Sequence, residues 1–270
     1  MLPSVAIHAL LLAITVLTLI PLVWMTSASL MPAGEANTFP PRFLPSRVTF
    51  EHYATLITHL DLMRRFTNSL LVSAGTTLLS LLIVSMAGFA FAKLRFTGRD
   101  RAFRLFLLAM VIPAQVGMLP LFLILQKLGL VNTLWGVMIP GLAPAFGVFM
   151  IRQYALSIPD ELLEAARIDG AGELRIFFTV VAPLMSPILV TFATFVYLST
   201  WNDFMWPLIV LSDASKYTLP VALANLSGEH AQDTELMMAG SVLTVLPVLA
   251  LFAVLQRQYI RGVLMGGVKG

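Results

Sequence analysis

The sequence predicts an all-α polytopic membrane protein with six transmembrane helices, and three observations carry that prediction. First, 58% of the 270 residues are hydrophobic and only 11% are charged. An average globular chain has about 25% charge, so a soluble domain of this length could not cover its surface. Second, the apolar residues, at a mean hydropathy of +0.88, gather into six stretches near 5–28, 66–92, 103–126, 134–151, 184–209 and 237–256. Each approaches the roughly 20 residues that a ~30 Å hydrocarbon core demands of a helix. Third, charged or Pro/Gly-punctuated loops separate them, near 31–64, 93–102, 127–133, 152–183 and 210–236. Disordered chains are apolar-poor and charge-rich, the opposite of this composition. The absence of cysteine rules out a disulfide scaffold.

The first stretch has no Lys or Arg before it, and its apolar core exceeds the 7–15 residues of a secretory signal, so it reads as an uncleaved helix. The loop after it holds Pro32, Pro40, Pro41 and Pro45, which suits an extended external segment. The second stretch is rich in small residues. Its ladder Ser69, Ser73, Thr77 lets helix backbones approach, within the chain or between subunits. Pro113, Gly117 and Pro120 interrupt the third stretch, and Pro140, Gly141, Pro144 and Gly147 the fourth. Such breaks mark kinks that neighbours or a cavity must re-satisfy.

In the fifth stretch Thr191, Thr194, Tyr197 and Trp201 recur at steps of three, three and four, tracing one helical stripe. Hydroxyls and rings on one face suit the lining of a path for a hydroxylated solute, with Asn202 at its end. They suit equally the hydrogen bonds that join helices in membranes. Trp201 and Trp206 flank Asn202-Asp203 and also read as an interfacial aromatic belt. The loop that follows begins with the turn-like run Ser212-Asp213-Ala214-Ser215. By segment the chain divides into 1–64 (first helix and outer loop), 65–256 (the core with helices two to six) and 257–270 (a cytoplasmic tail). No internal repeat is visible, which excludes an inverted-repeat carrier folded from one chain.

Positive charge concentrates on the cytoplasmic side of membrane proteins. With both termini inside, inner segments hold eleven basic residues: Lys93, Arg95, Arg99, Arg101, Arg104, Arg152, Arg167, Arg175, Arg257, Arg261 and Lys269. Outer segments hold six: Arg42, Arg47, Arg64, Arg65, Lys127 and Lys216. The same scatter explains the net charge of +3 without nucleic acid, which would need a basic groove interleaved with aromatics.

Mid-span positions hold essentially no ionisable residue, which argues against proton-relay carriers. The chain has no His-Glu-x-x-His, no cysteine nucleophile and no Gly-Lys dipeptide, so neither a zinc hydrolase nor a phosphate-binding loop is encoded. No catalytic residue, metal ligand set or cofactor site is expected. If transport is driven by ATP, the nucleotide and its magnesium belong to another polypeptide.

The inner loop 157–183 carries the strongest signal. Ser157 reads as a helix cap, Pro159 as a first-turn residue, and Asp160 and Glu161 as complements to the helix dipole. Gly170 ends that helix because glycine alone adopts positive φ cheaply. Leu174, Phe177, Phe178 and Val181, at i, i+3, i+4 and i+7, predict a second amphipathic helix, stopped by Pro183. Five acids (Asp160, Glu161, Glu164, Asp169 and Glu173) crowd this segment, although anionic lipid heads would repel them. The small residues Ala165, Ala166, Gly170, Ala171 and Gly172 would let a partner approach, while a solvated linker with an interfacial helix accounts for the pattern as well.

Glu164-Ala165-Ala166, then Gly170, then Pro183 resembles the Glu-Ala-Ala loop of bacterial ATP-binding-cassette (ABC) importer permeases. That pattern is Glu-Ala-Ala, three residues, Gly, nine residues, then Ile-x-Leu-Pro. The chain keeps both spacings, with Val180 and Ala182 in place of the Ile and Leu. Asn68-Ser69-Leu70-Leu71, Trp201 to Leu208, Tyr217-Thr218-Leu219-Pro220 and Gln256 to Gly262 look like the carbohydrate, maltose-permease-type branch. The resemblance implies a type I importer permease fold and a second permease subunit. It also implies two cytosolic ATPase subunits, an external solute-binding protein and residence in the bacterial inner membrane. It implies that Glu164, Ala165, Ala166, Asp169 and Gly170 form a coupling helix seated on the ATPase. The solute would be a sugar; a glycerol phosphate or polyol importer, or a regulatory subunit without a path, are the alternatives.

Overall fold

The computed structural model describes residues 2–58, 60–229 and 233–267. It is helical throughout, with no strand among the described residues. In chain order the helices are α1 (Leu2–Ala28), α2 (Glu51–Thr58), α3 (Leu62–Lys93), α4 (Arg99–Ala109), α5 (Ala114–Lys127), α6 (Leu134–Met138) and α7 (Ala145–Leu156). They continue as α8 (Asp160–Ile168), α9 (Glu173–Ile176), α10 (Ala182–Leu184), α11 (Ser186–Trp201), α12 (Met205–Val210), α13 (Leu219–Glu229) and α14 (Thr234–Gly267).

Val5–Ala28, Leu62–Lys93 and Thr234–Val254 are each long and apolar enough to cross a bilayer. Three further spans are bent pairs, which brings the total to six when each pair is counted as one. α4 and α5 meet at 103°, the α6 and α7 segments at 44°, and the segment Glu173–Leu184 meets α11 at 84°. Two of these breaks fall at prolines singled out above. Pro113 and Pro144 stand immediately before α5 and α7, where the missing N–H costs nothing. Pro120 lies inside α5 without ending it.

The fifth stretch, expected as 184–209, is interrupted at Asn202–Phe204. Asn202 turns its amide back on the Leu198 carbonyl at 2.8 Å, and Asp203 Oδ1 accepts the Trp206 N–H at 3.3 Å. One helix is closed and the next opened by the same short run. The outer loops also depart from expectation. The segment expected to be extended carries α2, and Glu35 folds the turn before it by accepting from Arg42 at 2.9 Å and from the Ser46 amide and hydroxyl at 3.0 Å each. α13 occupies the loop expected near 210–236, and α14 runs beyond residue 256 to Gly267.

The chain forms two compact units, Met1–Phe66 with Leu219–Ala250, and Thr67–Thr218 with Leu251–Gly270. In the first, Ala28, Met31 and Ala36 are buried together against Trp24 and Met238. The second has two cores. One gathers Val84, Phe89, Ile151, Leu163, Ile176, Phe177, Val181 and Phe192; the other gathers Val72, Leu125, Val137, Met138, Trp206 and Val210. The small-residue face of α3 is buried inside this unit: Ser69, Ser73, Thr76, Thr77 and Ser80 are all at most 9% exposed. It therefore serves packing within the chain. At Gly88 a Cβ would lie 2.6 Å from Ile151 Cγ2 and 3.0 Å from the Arg152 backbone nitrogen, so only glycine lets α3 and α7 approach this closely.

Candidate functional site

The loop between α7 and α11 stands on the second unit. Ser157 does not cap α8; its hydroxyl turns back to the Tyr154 carbonyl at 2.7 Å and closes α7. Pro159 occupies the cap position with extended backbone (φ −60°, ψ 136°). The start of α8 is held instead by Lys93, the last residue of α3, whose ammonium donates to the Ile158 carbonyl and to Asp160 Oδ1, both at 2.6 Å. The Lys93 side chain is only 6% exposed while Asp160 is 72% exposed. The amine therefore reaches from beneath, with its stem in apolar packing and its head at the rim. Hydrogen bonding and attraction from Lys93 hold the Asp160 carboxyl below its ordinary range.

The helix ends as glycine requires. Gly170 has φ +79°; its N–H bonds the Arg167 carbonyl, and the Ala171 N–H bonds the Ala166 carbonyl, both at 3.0 Å. That pair of bonds is the Schellman closure, which needs a left-handed residue. Across the turn Arg167 grips Glu173 with two bonds, Nε to Oε1 at 2.7 Å and NH2 to Oε2 at 3.2 Å. This forked pair fixes direction as well as distance. The hydrogen bond to Glu173, opposed by burial and aided by the nearby Glu173, Glu164 and Asp160 charges, raises the Arg167 pKa.

Underneath, Leu163 is 1% exposed and packs with Ile176, Phe177 and Val181, a burial worth about 1.5–3 kcal/mol. The expected stripe of the second helix is not the buried one: Phe177 and Val181 are buried, but Leu174 and Phe178 are more than half exposed. The residues Phe177–Val181 form a π-turn, whose i→i+5 bonding shifts the helical phase and brings Ile176 inward instead. The helix also runs through Pro183 to Leu184, and the break comes at Met185. Val180 and Ala182, the two departures from the family pattern, pack on the chain's own core.

What remains outside is an exposed face on α8. Glu161, Leu162, Glu164, Ala165, Ile168 and Asp169 all face outward, with Ile168 at 86% exposure. Ala166 and Ala171 do not join it; they pack against the core below. The face is an apolar tip ringed by acids on a nine-residue helix held at its start by Lys93 and at its end by Arg167 with Glu173.

Residues 80–264 of this chain match the profile of the family described as binding-protein-dependent transport system inner membrane component. The chain belongs to this family. As a permease component it has relatives along nearly its whole length. It is 41% identical to the arabinooligosaccharides transport system permease protein AraQ of Halalkalibacterium halodurans, over 95% of this chain and 93% of that one. It is 32% identical to the lactose transport system permease protein LacG of Rhizobium radiobacter, over 99% and 97%. Among solved structures it is similar to a chain of a bacterial ABC transporter involved in the import of the acidic polysaccharide alginate. That similarity has a TM-score of 0.83 and 26% identity, covering 93% of this chain and 95% of that one. The permease is thus an ABC permease in fold as well as in sequence, a multi-pass membrane component and not an enzyme; ATP hydrolysis belongs to a separate subunit.

The stripe on α11 of this permease is partly engaged. The Thr191 and Thr194 hydroxyls donate to the Pro187 and Val190 carbonyls of their own helix, at 3.0 and 2.8 Å. Tyr197 stacks on Trp201 with ring centroids 5.8 Å apart and planes within 10°, and its hydroxyl meets Ser73 of α3. Thr191, Thr194 and Tyr197 are half-buried, Trp201 is fully buried and Asn202 is exposed. Trp206 is buried too, its indole N–H bonded to the Gly136 carbonyl at 3.2 Å. These two tryptophans are packed within the unit, so they do not form a belt at the lipid interface. The residues that sequence reasoning missed are Lys93, Glu173 and Arg152, whose guanidinium sits 4.1 Å over the Phe103 ring and bonds the Phe91 carbonyl at 3.2 Å. The partners of Lys93 and Arg152 lie 67 and 61 positions away, beyond any local pattern, whereas Glu173 meets Arg167 six positions back, across the glycine turn.

Proposed function

We propose that this permease translocates a sugar or oligosaccharide, received from an external solute-binding protein, by alternating access driven by two separate ATPase subunits. A second permease subunit completes the membrane path, and ATP with magnesium is bound by the ATPases rather than by this chain. The observation that carries the saccharide assignment is the whole-length similarity to permeases named for arabinooligosaccharides and lactose. Those names favour saccharides over glycerol phosphate or another polyol.

In this reading α8, with Glu164, Ala165, Asp169 and Gly170, is the coupling element and Ala166 its internal seat. Its support is mechanical. A helix that transmits force must not slide on its base, and Leu163 below, Lys93 at its start and the Arg167–Glu173 fork at its end hold this one at three points. ATPase closure on the Ile168 face would then move the loop as one piece and reorient the spans. The basic residues Lys93, Arg95, Arg99 and Arg152 lie at the same end of the unit as α8. With the positive-inside bias this supports a cytoplasmic placement of that end and of both termini in a bacterial inner membrane. Thr191, Thr194, Tyr197, Trp201 and Asn202 are proposed to line the path in at least one transport state.

Reconstitution of the permease with its genomic neighbours (ATPase, second permease and binding protein) tests the assignment. Stimulation of ATP hydrolysis and uptake by arabino-, galacto- or gluco-oligosaccharides is the expected result. Stimulation by polyols alone would overturn the saccharide reading.

A further inference from the structure

The cluster at the α3–α4 connection is not used by the coupling loop. Arg95, Phe96, Thr97, Gly98, Arg99, Asp100, Arg101 and Arg104 surround an open cavity of about 680 Å³. Four guanidiniums face one carboxylate there. Asp100 is spent on Arg99 at 3.1 Å, and Arg99 also donates to the Leu94 carbonyl at 3.3 Å. Arg104 Nε turns to the Asp100 carbonyl at 3.2 Å. Arg95 and Arg101 have no hydrogen-bond partner among the described residues; Arg95 only senses Asp160 from a distance. Like charges gathered round one cavity repel, and an anion relieves that repulsion.

The surroundings say what kind of anion. One side of α4 packs down through Phe103, which is 7% exposed, and Phe106. The other side continues from Arg101 and Arg104 to Leu105, Leu108, Val111 and Ile112, each more than 60% exposed. The surface passes from guanidinium at Arg101 and Arg104 to bare aliphatic at Leu105 and Leu108 on α4 itself, about 10 Å of helix, and on to Val111 and Ile112 in the turn that follows. A free phosphate uses only the first part of such a surface. A phospholipid uses both, its phosphate among the arginines and its chains along the leucines, as an amphipathic helix at the interface does. The 103° turn between α4 and α5 is consistent with this, because it sets α4 across the direction of α5 rather than along it.

We propose that the Arg95–Arg104 cavity is a binding site for the phosphate headgroup of an anionic phospholipid, with the exposed α4 leucines seating the acyl chains. The site adjoins the coupling loop. A second cavity of about 560 Å³ contains Lys93, Arg95, Asp160, Glu164, Arg167 and Glu173, so Arg95 borders both. A bound headgroup would therefore draw Arg95 away from the acids of α8.

The test uses the full transporter, purified in mild detergent and exchanged into defined lipid. Native mass spectrometry would count retained phosphatidylglycerol and cardiolipin against phosphatidylcholine, for wild type, R95Q/R101Q and the control R175Q. Basic residues near an anionic surface contribute about fivefold in affinity each, so the double variant should lose retention of anionic lipid on the order of 25-fold. R175Q and phosphatidylcholine should show no such change. Equal retention in wild type and R95Q/R101Q would overturn the proposal. So would displacement of the lipid by millimolar inorganic phosphate, which would mark a free-anion site. Loss of the ATPase from R95Q/R101Q with lipid retention unchanged would also overturn it and assign the arginines to protein docking. Each readout is independent of which solute the transporter carries.

Discussion

Replacing Gly170 isolates the backbone requirement of the proposed coupling loop from every other demand on it. A Cβ built at Gly170 meets no heavy atom within 4 Å, yet φ is +79°. The cost of a side chain there is therefore conformational, not steric. An L-residue in the left-handed region costs about 1–2 kcal/mol, with asparagine the exception because its short amide bonds locally. A β-branched residue is worse placed than alanine. Taking about 1 kcal/mol for alanine and about 2 kcal/mol for valine, the population of opened turns should rise roughly fivefold and thirtyfold. Opening releases the Gly170–Arg167 and Ala171–Ala166 bonds and with them the register of Arg167 against Glu173. Gly172 is the control: its φ is −72° and its Cβ position is also open, so G172A should be nearly neutral.

The assay is hydrogen exchange at the Gly170 and Ala171 amides in the assembled transporter, paired with sugar-stimulated ATPase activity in proteoliposomes. Protection and coupling should fall together in the order glycine, asparagine, alanine, valine, while thermal unfolding of the membrane spans stays unchanged. The placing of asparagine decides the matter. If Gly170 were needed because a partner surface closes on it, volume would rule and asparagine would be worse than alanine. That order, or full coupling in G170V, would refute the conformational account.

G88V should destabilise the α3–α7 contact by about 1–3 kcal/mol, the usual cost of overpacking, because one of the atoms it meets is the Arg152 backbone nitrogen; a lowered melting temperature in detergent checks this. The Lys93–Asp160 staple makes a prediction about pH. A carboxyl whose folded pKa is depressed contributes stability that is fully present above its unfolded value, about 3.9, and lost as pH falls through the lower folded value. Protection of α8 amides should thus be flat from pH 8 to 5 and fall only in stronger acid, and K93M should reduce protection across the whole range; a drop centred near pH 6 would sink the assignment to Asp160. Single cysteines at positions 191, 194, 197 and 202 should react with small aqueous thiol reagents during turnover, with residue 201 silent at rest; no labelling at any position would return the stripe to a packing role.

Legibility in the sequence followed the range of the interactions. The spans were legible because burial in lipid imposes composition on 20 residues at a time. Proline marked two of the three breaks at the residue and the third to within two residues, since its missing donor is a local property. The third break was legible only approximately: Pro183 was expected to stop the helix, which runs one residue further to Leu184, and the π-turn before it is announced by no residue type. The small residues of α3 announced close packing, but only the structure showed that α6, the turn after it and α7 of the same chain supply it, through Met138, Gly141 and Ile151.

The proposed coupling loop divides in the same way. Gly170 and the acids at the start of α8 were readable because a left-handed residue and a helix dipole each constrain a single position. The staples were not, since Lys93 in the sequence is one basic residue in a basic loop. Its role exists only because α3 ends where α8 begins. The two halves have different consequences for mutation. A backbone requirement such as the glycine turn has few acceptable substitutes, whereas a staple between two side chains can be exchanged in pairs. Reversing the Arg167–Glu173 pair to Glu and Arg should therefore restore much of what either single change removes. No such exchange exists for Gly170, since the sign of φ is fixed by the chirality of the chain itself.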